Sequence, residues 1–131
     1  VGLVKILCVD DDPEFLRILG RMLEEKGYEV YLAESGKKAL EILKNVSPDL
    51  ILLDIMMPEL DGWETLKEIR STGNKAPVIM ITIMYAIEDR EKSFEHGADA
   101  HVPKPIKKVQ LFKTIEWVLK NSARRRSLAN H

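Results

Sequence analysis

"ILCVDDDPEF" (residues 6–15) runs an apolar stretch straight into three consecutive carboxylates, Asp10, Asp11 and Asp12. Like charges this close repel: two unit charges about 4 Å apart at an effective dielectric near 20 interact by roughly 4 kcal/mol. The cluster therefore needs a compensating cation, or separate tasks for its members. The run before it does not alternate apolar with polar residues. It reads as a strand buried on both faces, the pattern of a parallel sheet. "DLILL" (49–53) and "VIMI" (78–81) repeat that pattern; "EVYLA" (29–33) is a fourth strand candidate and "AHV" (100–102) a short fifth.

Helical patterns separate these runs. Residues 13–26 place Phe15, Leu16, Leu19, Met22 and Leu23 on one face before Gly27 ends the pattern, and 36–45 place Ala39, Leu40, Ile42 and Leu43 similarly. "WETLKEIR" (63–70), a segment near 86–96 and residues 107–121 complete a set of five helices. Strands alternating with helices predict a single α/β domain, a doubly wound five-stranded parallel sheet with right-handed crossovers. "ARRRSLANH" (123–131) breaks the apolar pattern. It reads as a basic tail or the start of a linker, which leaves 1–122 as the domain.

Composition narrows the function. At 131 residues, 45% hydrophobic and 31% charged, the chain suits one folded domain rather than a disordered one. A net charge of −1 gives no electrostatic reason for direct nucleic-acid or membrane binding. No apolar run approaches the roughly 20 residues of a membrane span and no signal peptide is visible, so a cytoplasmic location is expected. The single cysteine, Cys8, rules out a disulfide within the chain and reads as a buried structural thiol. The first residue is Val1, which reads as a trimmed start; a stand-alone protein and a piece of a longer one both stay open.

In an open parallel sheet, ligands bind at the carboxyl ends of the strands, near the switch in strand order. Those ends carry Asp10, Asp11 and Asp12 after the first strand, Asp54 after the third, Thr82 after the fourth and Lys104 after the fifth. Clustered hard oxygens suit Mg2+, which commonly bridges carboxylates and phosphoryl groups. Lys104 can neutralise a phosphoryl oxygen and Thr82 can hydrogen-bond another. One carboxylate is then free to act as a nucleophile and form an aspartyl phosphate.

Together "VDDDP", "LLDIMMPELDG", "VIMIT" and "GADAHVPKP" resemble the receiver domain of two-component response regulators over residues 4–121. The resemblance, and not the spacing, implies a flavodoxin-like strand order 2-1-3-4-5. It also implies that Asp54 accepts a phosphoryl group from a histidine kinase phosphohistidine. Asp10 and Asp11 then hold Mg2+ with Asp54 and the backbone carbonyl of Met56. Lys104 contacts the phosphate, Thr82 is the switch hydroxyl, and the peptide before Pro105 is cis. The implied partners are a sensor histidine kinase or phosphotransfer protein and an output domain or target that the sequence does not name, with a homodimer through the last helix as a further expectation. Such a domain is a phosphoacceptor rather than an enzyme, limited to self-catalysed phosphotransfer and slow autodephosphorylation.

Other residues have plainer readings. Asp12 before Pro13 is a helix N-cap, and Pro58 and "LDG" (60–62), Asp61 above all, shape a loop and start the next helix. Met56, Met57, Met80 and Met84 read as gap fillers rather than metal ligands. His96 and His101 lack a third ligand for zinc. Arg124, Arg125 and Arg126 read as a solvated tail. Trp117 falls opposite the Leu111, Phe112, Ile115, Val118 and Leu119 face, where an aromatic could contact a partner.

Two positions depart from the family pattern: bulky Ile83 follows the switch threonine, and His101 stands where an aromatic switch residue is usual. Met56 and Met84 flank the path of a hydrolytic water and cannot orient it by hydrogen bonds. These residues predict a long-lived phospho-Asp54 and slow phosphorylation by small donors. Two alternatives remain at this level. Asp10-x-Asp12 resembles the start of haloacid-dehalogenase-type phosphatases, although their later acidic pair is missing. Ile83 also leaves room for a receiver-like interaction module that is never phosphorylated.

Overall fold

The computed structural model describes residues 2–83 and 97–129, the side chains of 123–129 excepted. In chain order the elements are β1 (Lys5–Val9), α1 (Pro13–Glu25), β2 (Glu29–Ala33), α2 (Gly36–Leu43), β3 (Leu50–Asp54), α3 (Gly62–Ser71), β4 (Val78–Thr82), β5 (Ala100–Pro103) and α4 (Lys108–Ala129). The sheet is five-stranded in the order β2-β1-β3-β4-β5, and every neighbouring pair is parallel.

The expectation of five helices needs correction: the described residues hold four. The helix assigned near 86–96 lies outside them. The last helix is longer than its apolar pattern, running through the basic stretch to Ala129.

The central strands are apolar throughout because both faces are covered. Successive side chains point to opposite sides. Leu7, Val9, Ile51, Leu53 and Met80 pack with Ala39 of α2 and with Trp63, Leu66 and Ile69 of α3. Ile6, Cys8, Leu50, Leu52, Ile79 and Ile81 pack on the other side with Leu16, Leu19 and Leu23 of α1 and Leu111, Ile115 and Val118 of α4.

Local chemistry sets where the helices begin. Asp12 caps α1, its carboxylate accepting from the backbone N–H of Glu14 (3.0 Å) and Phe15 (3.3 Å), and Pro13 follows as the first helical residue. Asp61 caps α3 by accepting from Glu64 N at 2.9 Å. Gly62 lets that helix start against the end of β3. Its N–H donates to the Ile55 carbonyl at 2.8 Å, and a Cβ there would overlap the Asp54 carbonyl oxygen and Ile55 Cα. Gly20, in contrast, lies mid-helix, and a Cβ there would only touch the movable tip of Leu32 at 3.4 Å.

These two glycines predict opposite outcomes. Gly62→Ala should lower unfolding free energy by about 1–3 kcal/mol through overpacking. Gly20→Ala should raise it by up to about 1 kcal/mol through helix propensity. Urea unfolding of the two variants checks both signs.

Candidate functional site

The strand order reverses between β1 and β3, and the carboxyl ends of these strands carry Asp10 and Asp54. Asp10 immediately follows β1 and Asp54 is the last residue of β3; both are buried. Thr82, also buried, closes β4, and its carbonyl accepts from Lys104 N at 2.8 Å, which ties the end of β5 to the same edge. The chain after β5 turns through a cis Lys104–Pro105 peptide, as the resemblance implies.

From that backbone anchor Lys104 reaches back across β4. Its Nζ donates to Asp10 Oδ2 at 2.8 Å and stands 3.7 Å from Asp54 Oδ1. The other oxygen of Asp10 accepts from the backbone N–H of Asp12 at 2.9 Å. Asp10, Asp11 and Asp54 each present a carboxylate oxygen within 4.8 Å of one another, with Asp11 the exposed member. This acidic cluster is capable of coordinating a metal ion, and its donors are hard oxygens.

The Asp12 carboxylate is turned onto the first turn of α1, so the three-aspartate run is divided between two tasks. That division also removes the dehalogenase-type alternative's second aspartate from the chemistry, since Asp12 serves the helix.

Burial pushes the Asp54 carboxyl up to about 6, with help from the negative charges of Asp10 and Asp11. The Lys104 charge and a hydrogen bond from the Met56 backbone N–H act in the opposite direction. For Lys104, burial alone would lower the ammonium; the hydrogen bond to Asp10 and the charges of Asp54 and Asp10 outweigh it and hold the group above its ordinary value. Lys104 is therefore a cation at neutral pH, seated among carboxylates.

Several expectations fare differently around this centre. Met57 and Met80 are buried core residues as read, but the Met56 side chain is 54% exposed and fills no gap. Residue 56 follows the strand by two positions, where the chain has already left the sheet. Ile83 is 58% exposed, at the rim just beyond β4. His101 is half-buried in β5 and pairs in register with Met80. Trp117 is 58% exposed on α4, opposite its buried face. Cys8 is fully buried, and burial pushes its thiol above the ordinary value, so it is an inert core residue. Met84 and His96 lie outside the described residues.

Sequence reasoning missed one participant. The ring of Phe15, in the first turn of α1, lies under the Lys104 ammonium with 4.4 Å between Nζ and the ring centroid. Helical periodicity marked Phe15 only as a core-facing residue, and nothing in the spacing links it to a lysine 89 positions away.

The response regulator receiver domain family matches residues 6–116. Response regulator MprA of Mycobacterium sp. (strain KMS) is 38% identical over 120 residues, which cover 92% of this chain and 52% of that protein. Among solved structures, a CheY-like response regulator receiver domain protein from Methanospirillum hungatei JF-1 superposes with a TM-score of 0.88 at 31% identity, covering 95% of this chain and 99% of that one. NtrX from Brucella abortus superposes with a TM-score of 0.90 at 29% identity, over 98% of this chain and 29% of that one. The chain belongs to the response regulator receiver domains of two-component signalling systems, a class of phosphoacceptor domains rather than classical enzymes. It spans about half the length of the curated relatives it matches. Among the described residues no helix is long and apolar enough to cross a membrane.

The raised Asp54 pKa carries a stability signature. An unfolded Asp54 ionises near 3.8 and the folded one near 6, so the folded state holds this proton more tightly. Ionising Asp54 therefore destabilises the metal-free fold, with no penalty below about pH 4 and the full penalty above about pH 6. Asp54→Asn should raise the metal-free Tm at pH 7.5, and this gain should vanish as pH falls to about 4. Thermal unfolding in a chelator across that range checks the sign.

Proposed function

We propose that this domain is a phosphorylation-dependent switch in which Asp54 takes a phosphoryl group from the phosphohistidine of a sensor histidine kinase or phosphotransfer protein. The observation that carries this reading is the Lys104 ammonium lodged between Asp10 and Asp54, beside three carboxylates converging within 4.8 Å. An Asp54 carboxylate oxygen attacks phosphorus in line with the P–N bond. That bond breaks, and its electron pair leaves with the imidazole, which takes up a proton. Asp10, Asp11 and Asp54, with the Met56 backbone carbonyl, would hold Mg2+, which would offset the repulsion among the carboxylates and stabilise negative charge developing on the phosphoryl group. Lys104 pairs with one phosphoryl oxygen and the Thr82 hydroxyl donates to another. His101 of β5, paired in register with Met80 of β4, is the residue we assign to follow a shift of Thr82.

Phosphorylation on this reading biases a pre-existing equilibrium between surfaces. The partner it controls is an output domain or a separate target protein. The exposed face of α4 around Trp117 is the surface we assign to a homodimer. The cytoplasm is the setting that suits a kinase-fed phosphoacceptor, with 1–122 as the domain and 123–131 as its basic tail or linker.

Incubation with acetyl phosphate and Mg2+ should add one phosphate by intact mass, and Asp54→Asn should abolish the addition. Absence of labelling in the unmodified protein would favour a non-phosphorylated interaction module. Asp11→Ala should weaken Mg2+ binding strongly, whereas Asp12→Ala should leave it and cost about 1 kcal/mol of stability as a lost cap. The reverse pattern would overturn the division of the cluster.

Lifetime follows from the rim. Met56 cannot orient a hydrolytic water, and Ile83 adds bulk beside the phosphoryl path, so phospho-Asp54 is long-lived and loading by small donors is slow. Met56→Asn should speed decay after donor removal, and Ile83→Ala should speed loading. Decay within seconds in the unmodified protein would show that apolar flanks do not protect the bond.

A further inference from the structure

We propose that Phe15 is a positioning residue for Lys104, its ring face holding the ammonium between Asp10 and Asp54 so that a phosphoryl group on Asp54 meets a counter-charge already in place. The inference rests on the reading of Asp54 as acceptor and Lys104 as its phosphate contact.

Three distances define the arrangement. Lys104 Nζ is 2.8 Å from Asp10 Oδ2, 3.7 Å from Asp54 Oδ1 and 4.4 Å from the centroid of the Phe15 ring. A lysine side chain has a flexible four-carbon stem, and a close carboxylate on one side does not fix where the ammonium sits around it. An aromatic face attracts a cation through its negative quadrupole, and more strongly where water is partly excluded. The Lys104 side chain is only 21% exposed, so this attraction acts in a partly dry site.

The ring and the carboxylate are set by one local structure. Asp12 caps α1 by accepting from Phe15 N at 3.3 Å, while the backbone N–H of Asp12 donates to Asp10 Oδ1 at 2.9 Å. The turn that starts α1 thus places both groups that hold Lys104. Replacing the ring by an aliphatic group of similar bulk would keep the core contact and remove the cation's seat. Lys104 would then spread over more conformations, and each phosphorylation would have to order it anew.

The test uses a small donor, so that no kinase-docking surface is involved. With acetyl phosphate and saturating Mg2+, Phe15→Leu should slow phosphorylation of Asp54 by a factor of about 3 to 10, and Phe15→Tyr, which keeps the π face, should restore the rate. In unphosphorylated protein, NMR should find the Lys104 Cε protons displaced upfield by the ring current, with the displacement lost in Phe15→Leu and kept in Phe15→Tyr. Equal rates in Phe15→Leu and the unmodified protein, an equal loss in the Leu and Tyr variants, or Lys104 Cε protons at ordinary shifts in the unmodified protein would each overturn the proposal. If the unmodified protein takes no phosphate, the acceptor reading fails instead, and the ring-current measurement still decides the place of Phe15. It decides it equally if Phe15→Leu does not fold.

Discussion

One ammonium shared by two buried carboxylates holds the working edge of this domain together. Asp10 and Asp54 sit buried at the ends of adjacent strands, where a charge without a partner is costly, and burial sets Asp54 against ionisation. Lys104 offsets this by donating to Asp10 while standing within 3.7 Å of Asp54. The offset is incomplete, and the Asp54 carboxyl stays above its ordinary range. A site left electrostatically unsatisfied in this way is ready for a further cation on the carboxylates and for an anion beside the lysine. Metal-assisted phosphotransfer brings both.

That arrangement depends on features far from it in sequence. Lys104 can reach Asp10 only because β5 lies beyond β4 in the sheet and its end is tied to the Thr82 carbonyl. Asp54 reaches the edge only because a fully buried strand carries it there, with α3 starting against its carbonyl at a residue that lacks a Cβ. Asp12 starts α1, and its backbone N–H steadies the Asp10 carboxylate. The stability of the helix start and the geometry of the charge cluster are therefore set by the same few atoms.

Much of this was legible beforehand, for reasons that differ from residue to residue. The inner strands announced themselves because burial on both faces demands uninterrupted apolar side chains, and the predicted starts of β2, β4 and β5 agree with the structure. Asp12 was legible because capping is local: the acceptor, the proline and the donors lie within four residues. Met56 was misread because methionine suits both a gap and a surface, and only the path of the chain after β3 decides between them. The count of helices exceeded what the described residues hold, because the segment near 86–96 lies outside them. The strand order and the roles at Asp54, Thr82 and Lys104 came through resemblance to a family, since spacing alone cannot rank parallel strands.

The sequence by itself determined the class of fold, the set of reactive side chains and their delivery to strand ends, because those follow from periodicity and from residue chemistry over a few positions. Tertiary structure alone decided which of them meet. The approach of Lys104 to Asp10 spans 94 positions, and its contact with Phe15 joins a loop to a helix on the far side of two strands. Such contacts arise from the register of the sheet and the packing of α1 upon it. A charge pair or a ring under a cation leaves no periodic trace in the chain, so its existence is a property of the assembled sheet.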